Sequence, residues 1–102
     1  MDFEEIKKHI KKKTYLFSEH ADEERTKDKL TVSEIEEAIL SGEVIEERIM
    51  DPRGESRLIG GKSGTRYMHI VVGIRGGRPL IVTVYIPDEK LWARGIIRKR
   101  KE

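Results

Sequence analysis

A histidine and an arginine near the start of a short polar segment are the first candidates for chemistry. His20 can donate a proton near neutral pH, and Arg25 can hold a phosphate through its planar guanidinium group. Such a pair is typical of a site that acts on phosphodiesters. A structural interpretation is also open, in which His20 supports an N-cap at Ser18 and Arg25 pairs with Glu23 or Glu36.

A second candidate set lies in the strand-rich half of the chain. His69 and Tyr85 fall on two segments of alternating apolar residues, with Arg48 or Arg66 as a neighbouring cation. Cleavage of RNA by its own 2′-hydroxyl needs a base, an acid and positive charge near the phosphate, and no metal. His69, together with His20, is the acid–base candidate, and Tyr85 is a positioning group. The alternative is that the first and third helices cover this face and make His69 and Tyr85 hydrogen-bonded core residues.

Basic residues crowd the end of the chain. Arg98, Lys99 and Arg100 belong to a basic tail over 94–102, which follows a segment over 89–93 that resembles a helical turn. The positive charge predicts contact with a nucleic-acid backbone. An ordinary solubilising terminus would have the same composition, so that interpretation also stays open.

Metal, cofactor and thiol chemistry find little support in the sequence. The chain has no cysteine, which removes disulfides and thiolate ligands. Its histidines, His9, His20 and His69, lack the close spacing of zinc ligands. The glycines at 76 and 77 suit a hairpin, and no helix follows them to complete a phosphate-binding loop. We therefore expect no metal, no dinucleotide and no other cofactor.

Composition predicts one soluble domain. The 102 residues are 36% hydrophobic and 39% charged, and the apolar residues are clustered and periodic, so we expect a single domain over 1–102. The net charge of +2 is too small to indicate a nucleic-acid partner by itself. A start without a signal-like apolar core, and apolar runs of strand length only, favour a cytoplasmic protein without a membrane contact.

The first part of the chain has the 3.6-residue periodicity of helices. Helix caps at Ser18 and at Thr31, the latter paired with Glu34 in a capping box, mark two of the helix starts. Gly42 stands where a left-handed C-cap is expected. The predicted helices cover residues 3–13, 19–27 and 32–41.

From residue 43 onward the period changes to that of strands. The second strand is predicted to be short, because Gly60, Gly61 and Gly64 are expected to break it. Leu80, Val82, Val84 and Ile86 are predicted to share one face of the last strand. The predicted strands cover residues 43–49, 56–60, 67–74 and 80–86.

The register of the last two strands follows from their apolar pattern. A two-residue Gly76–Gly77 turn would mix the two faces, so a longer loop with Ile74 opposite Leu80 is predicted. His69 then lies opposite Tyr85, or opposite Thr83 after a two-residue shift. Either way, polar side chains share the face opposite the aliphatic one: Tyr67, His69, Thr83 and Tyr85.

Several short motifs, taken in order, resemble one family. The first half carries Ser18-Glu19-His20-Ala21, then Arg25, then runs over 30–39 and 42–46. The second half carries Gly54, Leu58 and runs over 69–72 and 81–88, continuing to Trp92. Together they resemble the domain-of-unknown-function 4258 (DUF4258) family, whose members are small, mostly prokaryotic and without an assigned activity. The segment Thr26-Lys27-Asp28-Lys29 departs from the family pattern, where many members carry a Met and a second Arg.

The resemblance implies a fold and a function. The family is similar in element order to RelE- and BrnT-type toxins, which are small ribonucleases paired with antitoxins. We expect an α+β fold with N-terminal helices packed on a roughly four-stranded, mostly antiparallel, twisted sheet. The predicted function is a metal-independent ribonuclease of the toxin–antitoxin type, with RNA and a small antitoxin-like protein as partners. The alternative is a non-catalytic module that binds protein or RNA.

Overall fold

The fold is α+β, with three helices and a five-stranded, mostly antiparallel sheet. The computed structural model describes residues 1–88, together with the backbone of the two-residue strands at 92–93 and 97–98. The helices are α1 (Phe3–Lys12), α2 (Glu19–Lys27) and α3 (Val32–Ser41). The strands are β1 (Leu16–Phe17), β2 (Glu43–Arg48), β3 (Ser56–Ser63), β4 (Arg66–Arg75), β5 (Arg78–Tyr85), β6 (Trp92–Ala93) and β7 (Ile97–Arg98).

The five-stranded sheet has the order β1-β5-β4-β3-β2, and only the β1–β5 pair is parallel. The predicted fold class is confirmed, with one strand more than expected. β1 is only two residues long, which is too short to produce a periodic pattern in the sequence. The helical turn predicted over 89–93 lies mostly outside the described residues, and its last two residues form β6. No helix among the described residues is long and apolar enough to cross a membrane.

Local capping explains where the helices begin. Ser18 accepts a hydrogen bond from the backbone N–H of Ala21, and Thr31 and Glu34 form the complete capping box. The predicted bounds of α2 and α3 are therefore confirmed. Gly42, by contrast, is extended (φ −92°, ψ −168°), so the predicted left-handed C-cap is wrong.

Glycine is required at the end of α3 for close packing. A Cβ atom on Gly42 would lie 2.5 Å from the carbonyl oxygen of Gly60 and 2.6 Å from that of Ala38. A Cβ atom on Gly61 would lie only 1.9 Å from the Ala38 oxygen. The backbone of α3 thus touches the backbone of β3 directly. Gly60 and Gly61 continue the strand to residue 63, and the prediction that they break it is wrong.

This contact identifies the core face of the sheet. Gly61 faces α3 and pairs with Met68 of β4, so Met68 points toward the helices and the next residue, His69, points away. The helices therefore do not cover this face, and that part of the structural interpretation is wrong. Its other part is confirmed for His69, which is fully buried and contacts the Tyr85 hydroxyl. The buried apolar side chains form one cluster between the helices and the sheet: Ile6, Ile10, Ala21, Leu30, Ile35, Ala38, Ile39, Ile59, Met68, Ile70, Val72, Ile81 and Val84.

The β4–β5 hairpin combines a tight turn with a bulge. Arg75 pairs with Arg78, and Gly76 and Gly77 have φ values of 58° and 76°, as a two-residue type I′ turn demands. The prediction of a longer loop with Ile74 opposite Leu80 is wrong. Val82 is an extra, unpaired residue, because Val71 pairs with Thr83 while Val72 pairs with Ile81.

The bulge reconciles the turn with the apolar pattern. It places Ile81 and Val84 on the core face, where both are fully buried, and leaves Leu80 and Val82 half-buried. The predicted single face of Leu80, Val82, Val84 and Ile86 is therefore wrong. Beyond the bulge, the predicted pairing of His69 with Tyr85 is confirmed.

The strand β2 is an edge of the sheet. It also contains an irregularity, since Val44 pairs with Ile59 but Glu46 pairs with Leu58. Four of its six residues are charged, Glu43, Glu46, Glu47 and Arg48. Charges and a bulge on an outer strand are common where a sheet must not extend into another chain.

The packing of α3 on β3 yields a stability prediction. Gly61→Ala places a Cβ atom against the Ala38 carbonyl and must push the helix away, at a cost of about 3 kcal/mol in the free energy of unfolding. Gly64→Ala is the control, because Gly64 has open space and only a positive φ of 62°, which costs about 1 kcal/mol. Urea unfolding measures both. Equal losses would contradict a direct backbone contact.

Candidate functional site

A cleft of about 300 Å³ opens on the sheet face that the helices leave free. Its polar lining comes from Glu46 and Arg48 of β2, Ser56 and the buried Arg57 of β3, and Tyr85 of β5. Apolar side chains of β3 and β4, Leu58 and Val71, complete the floor. A carboxylate, a guanidinium group, a hydroxyl and a phenol therefore share one concave surface.

Strand register explains why these side chains meet. Glu46 pairs with Leu58, and Leu58 pairs with Val71, so the three lie in one row across the sheet. Arg48 pairs with Ser56 in the next row on the same face. The irregularity between Val44 and Glu46 matters here, because Val44 packs against the core while Glu46 lines the open face.

His69 contacts its cross-strand partner Tyr85 on the open face of the sheet. Nδ1 of His69 lies 3.3 Å from the hydroxyl oxygen of Tyr85, and the rings meet edge to face, with centroids 5.3 Å apart and planes at 71°. His69 is fully buried, whereas Tyr85 is half-buried and reaches the cleft. In this arrangement His69 cannot touch a ligand directly. It orients the Tyr85 hydroxyl, which can.

Burial and a neighbouring charge keep Tyr85 protonated. Desolvation raises the pKa of Tyr85 above its ordinary value of 10.0, and the Glu46 carboxylate raises it further. The phenol is therefore protonated at neutral pH, and its proton is held more tightly than that of an exposed tyrosine.

Arg66 lies elsewhere and is already engaged. Its guanidinium group donates to the backbone carbonyls of Asp28 and Lys29 at 3.4 and 3.1 Å, and to the Glu34 carboxylate at 3.1 Å. It therefore ties β4 to the connection between α2 and α3. Of the two arginines predicted beside His69 and Tyr85, the structure brings only Arg48 to the cleft.

The residues of the α2 candidate set are separate from this cleft. His20 is exposed, and Ala21 beside it packs into the core on the helix side. Arg25 donates to the Asp22 carboxylate at 2.7 Å and to the backbone carbonyl of Leu30 at 3.2 Å. The partner of Arg25 is thus Asp22, and neither Glu23 nor Glu36.

The structure does not describe the side chains of the basic tail. Lys99 and Arg100 lie outside the described residues, and only the backbone of Arg98 is described. Within residues 1–88, no three His, Asp or Glu side chains come together as a metal site would require.

Sequence reasoning did not identify Glu46 or Ser56. Glu46 falls in an acidic stretch whose composition is typical of solvated surface. The irregularity in β2 before Glu46 prevents the sequence pattern from showing on which face of the sheet Glu46 lies. The alternation of Glu46 with Arg48 is the signal that could have found it, since residues two apart on a strand share a face. Ser56 carries no comparable signal.

Fold and cleft together define a small α+β domain with a polar site on the open face of its sheet. The chain belongs to the DUF4258 family (domain of unknown function), whose family model matches residues 17–86. That range runs from β1 to the residue after β5 and so contains every described residue that lines the cleft. Searches of the curated proteins and of the solved structures found no match.

The environment of Tyr85 yields a titration prediction. The difference in phenolate absorbance between the wild type and Tyr85→Phe should show a midpoint above pH 10. Glu46→Gln should lower this midpoint but leave it above 10, because burial is the larger cause. In urea the midpoint should return to the ordinary value. A midpoint at or below 10 in the folded protein would contradict the described environment.

Proposed function

We propose that the protein is a metal-independent endoribonuclease that acts in the open-face cleft. The observation that carries this proposal is the meeting of Glu46, Arg48 and protonated Tyr85 on one concave surface. These groups match the base, the cation and the acid that cleavage by the 2′-hydroxyl needs. The proposal retains Tyr85 and Arg48 from the sequence and replaces the two histidines as proton-transfer groups.

Each side chain has one task in the proposed reaction. The Glu46 carboxylate accepts the proton of the 2′-hydroxyl, whose oxygen forms a bond to phosphorus. The bond from phosphorus to the 5′-oxygen breaks, and Tyr85 gives its proton to that leaving oxygen. The products are a 2′,3′-cyclic phosphate and a free 5′-hydroxyl. Arg48 stabilises the negative charge that grows on the phosphate oxygens.

His69 acts in this proposal through Tyr85. A tyrosine whose hydroxyl is free to rotate would lose part of its alignment with the leaving oxygen, and the 3.3 Å contact to Nδ1 limits that rotation. His69 is therefore a positioning residue. His20 and Arg25, on α2, take no part in it.

The proposed biological setting follows the likeness in element order to RelE- and BrnT-type toxins. A ribonuclease of that kind acts on RNA in the cytoplasm and is held inactive by a small antitoxin-like protein. The support for this setting is analogy of fold, which is weaker than the support from the cleft itself.

Substitutions in the cleft test the proposed reaction. With EDTA present, Glu46→Gln and Tyr85→Phe should each slow RNA cleavage by about a hundredfold or more, because each removes one proton-transfer group. Arg48→Ala should have an effect of similar size. The matched controls are Glu37→Gln, on the exposed surface of α3, and Tyr67→Phe, and both should cleave like the wild type.

The same assay separates the competing interpretations. His20→Ala tests the α2 candidate set, and a loss of cleavage there with normal rates in the cleft variants would overturn the proposed site. Equal cleavage by all variants would point to a contaminating nuclease. Absence of cleavage by the folded wild type would favour the non-catalytic module.

One observation favours that second candidate function. Two apolar residues after β2 are exposed, Ile49 by 47% and Met50 by 92%. Exposed apolar side chains beside a polar cleft are typical of a surface that binds another protein. A non-catalytic binding module would use this loop together with the open sheet face.

A further inference from the structure

A second cleft continues the first along the open face. Its volume is about 360 Å³, and it shares Arg48, Ser56 and Val71 with the cleft that contains Tyr85. The two therefore form one groove, which runs along β4 from the level of His69 toward Arg75. Six residues of extended strand separate those positions, a distance of about 20 Å. The groove is longer than a single nucleotide needs.

The floor of this second cleft is apolar. Leu80 and Val82 of β5 line it, and Val71 of β4 joins it to the first cleft. The bulge at Val82 creates this floor, because it leaves Leu80 and Val82 on the open side while Ile81 and Val84 remain in the core. Gly73 keeps the floor low: a Cβ atom there would project to 3.4 Å from Cγ2 of Val82.

The rim of the second cleft carries net positive charge. Arg53 is paired with Asp51 at 3.2 Å, and Glu55 with the N-terminal amine and with Arg57, each at 3.3 Å. The negative charges of Asp51 and Glu55 are therefore balanced by these cations. Arg48 and Arg75 are exposed and remain to attract an anion.

An apolar floor with a cationic rim suits an unpaired nucleotide. The flat face of a base can lie on Val71, Leu80 and Val82 only when it is not stacked in a duplex, while the adjoining phosphates meet the arginines. A double helix presents its phosphates outward and keeps its base faces covered, so it would leave the floor empty.

We propose that the second cleft is a subsite for an unpaired base and that the substrate is single-stranded RNA. This inference rests on the proposed function, which places the RNA backbone in the first cleft. The aliphatic floor can contact the face of any base. The subsite therefore favours single-stranded over double-stranded RNA and does not distinguish between base sequences.

Binding measurements test the subsite separately from cleavage. Fluorescence anisotropy in EDTA compares a labelled single-stranded RNA with the same strand in a blunt duplex, using Tyr85→Phe so that the RNA stays intact. The single strand should bind at least about tenfold more tightly, a difference of about 1.4 kcal/mol. Gly73→Ala and Gly73→Val fill the floor stepwise and should progressively remove this preference.

Two controls keep the result interpretable. Urea unfolding of both Gly73 variants checks that the fold is intact, and Arg78→Ala removes an exposed arginine outside both clefts and should bind like the parent. Wild-type cleavage is measured on the same RNAs. Equal binding of single strand and duplex, or folded Gly73 variants with unchanged preference, would overturn the subsite even if cleavage is confirmed. Preference for the single strand that depends on Gly73 would support the subsite even if no cleavage occurs.

Discussion

The structure depends on a backbone contact between α3 and β3. Because Gly42 and Gly61 have no side chains, the Ala38 carbonyl of the helix lies against the strand itself. This contact determines which face of β3 the helices cover. Because β4 pairs with β3 and β5 pairs with β4, the register then determines which residues of β4 and β5 lie on that face. The aliphatic residues of those strands become core, and the polar ones are left on the open face. The position of the candidate site is therefore a consequence of two glycines on the other side of the sheet.

Much of the fold could be predicted from local sequence, and the failures have a common physical cause. Ser18 and Thr31 mark helix starts because each side chain accepts a hydrogen bond from the backbone N–H three residues later, so the bounds of α2 and α3 follow from local sequence. Gly61 and Gly76 are the same residue type with different tasks, close approach to a helix and a left-handed turn. Only the packing partner distinguishes them. The bulge at Val82 is similarly invisible, because both a longer loop and a bulge restore an alternating pattern.

The sequence predicted which two strands carry the site, but it did not predict which side chains reach the cleft. The opposition of His69 and Tyr85 follows from register, and the structure confirms it. Their different depths do not follow from register, since one is fully buried and the other reaches the cleft. Histidine is the side chain that sequence reasoning assigns first to proton transfer, yet here His69 is fully buried and its contact suits support of a neighbouring phenol. Glu46, which completes the set, comes from the outer strand that carries an irregularity.

The outer position of β2 has a consequence for the behaviour of the protein in a crowded solution. An edge strand has unpaired backbone N–H and C=O groups that can pair with a strand of another chain. Charged side chains along the edge strand make that pairing unfavourable. Glu46 and Arg48 are among the charged residues that protect the edge from such pairing, and they also line the cleft. Changes that neutralise them to alter ligand preference would at the same time expose the edge to strand addition. Selection for solubility and selection for the site thus act on the same side chains, which limits how far either property can change alone.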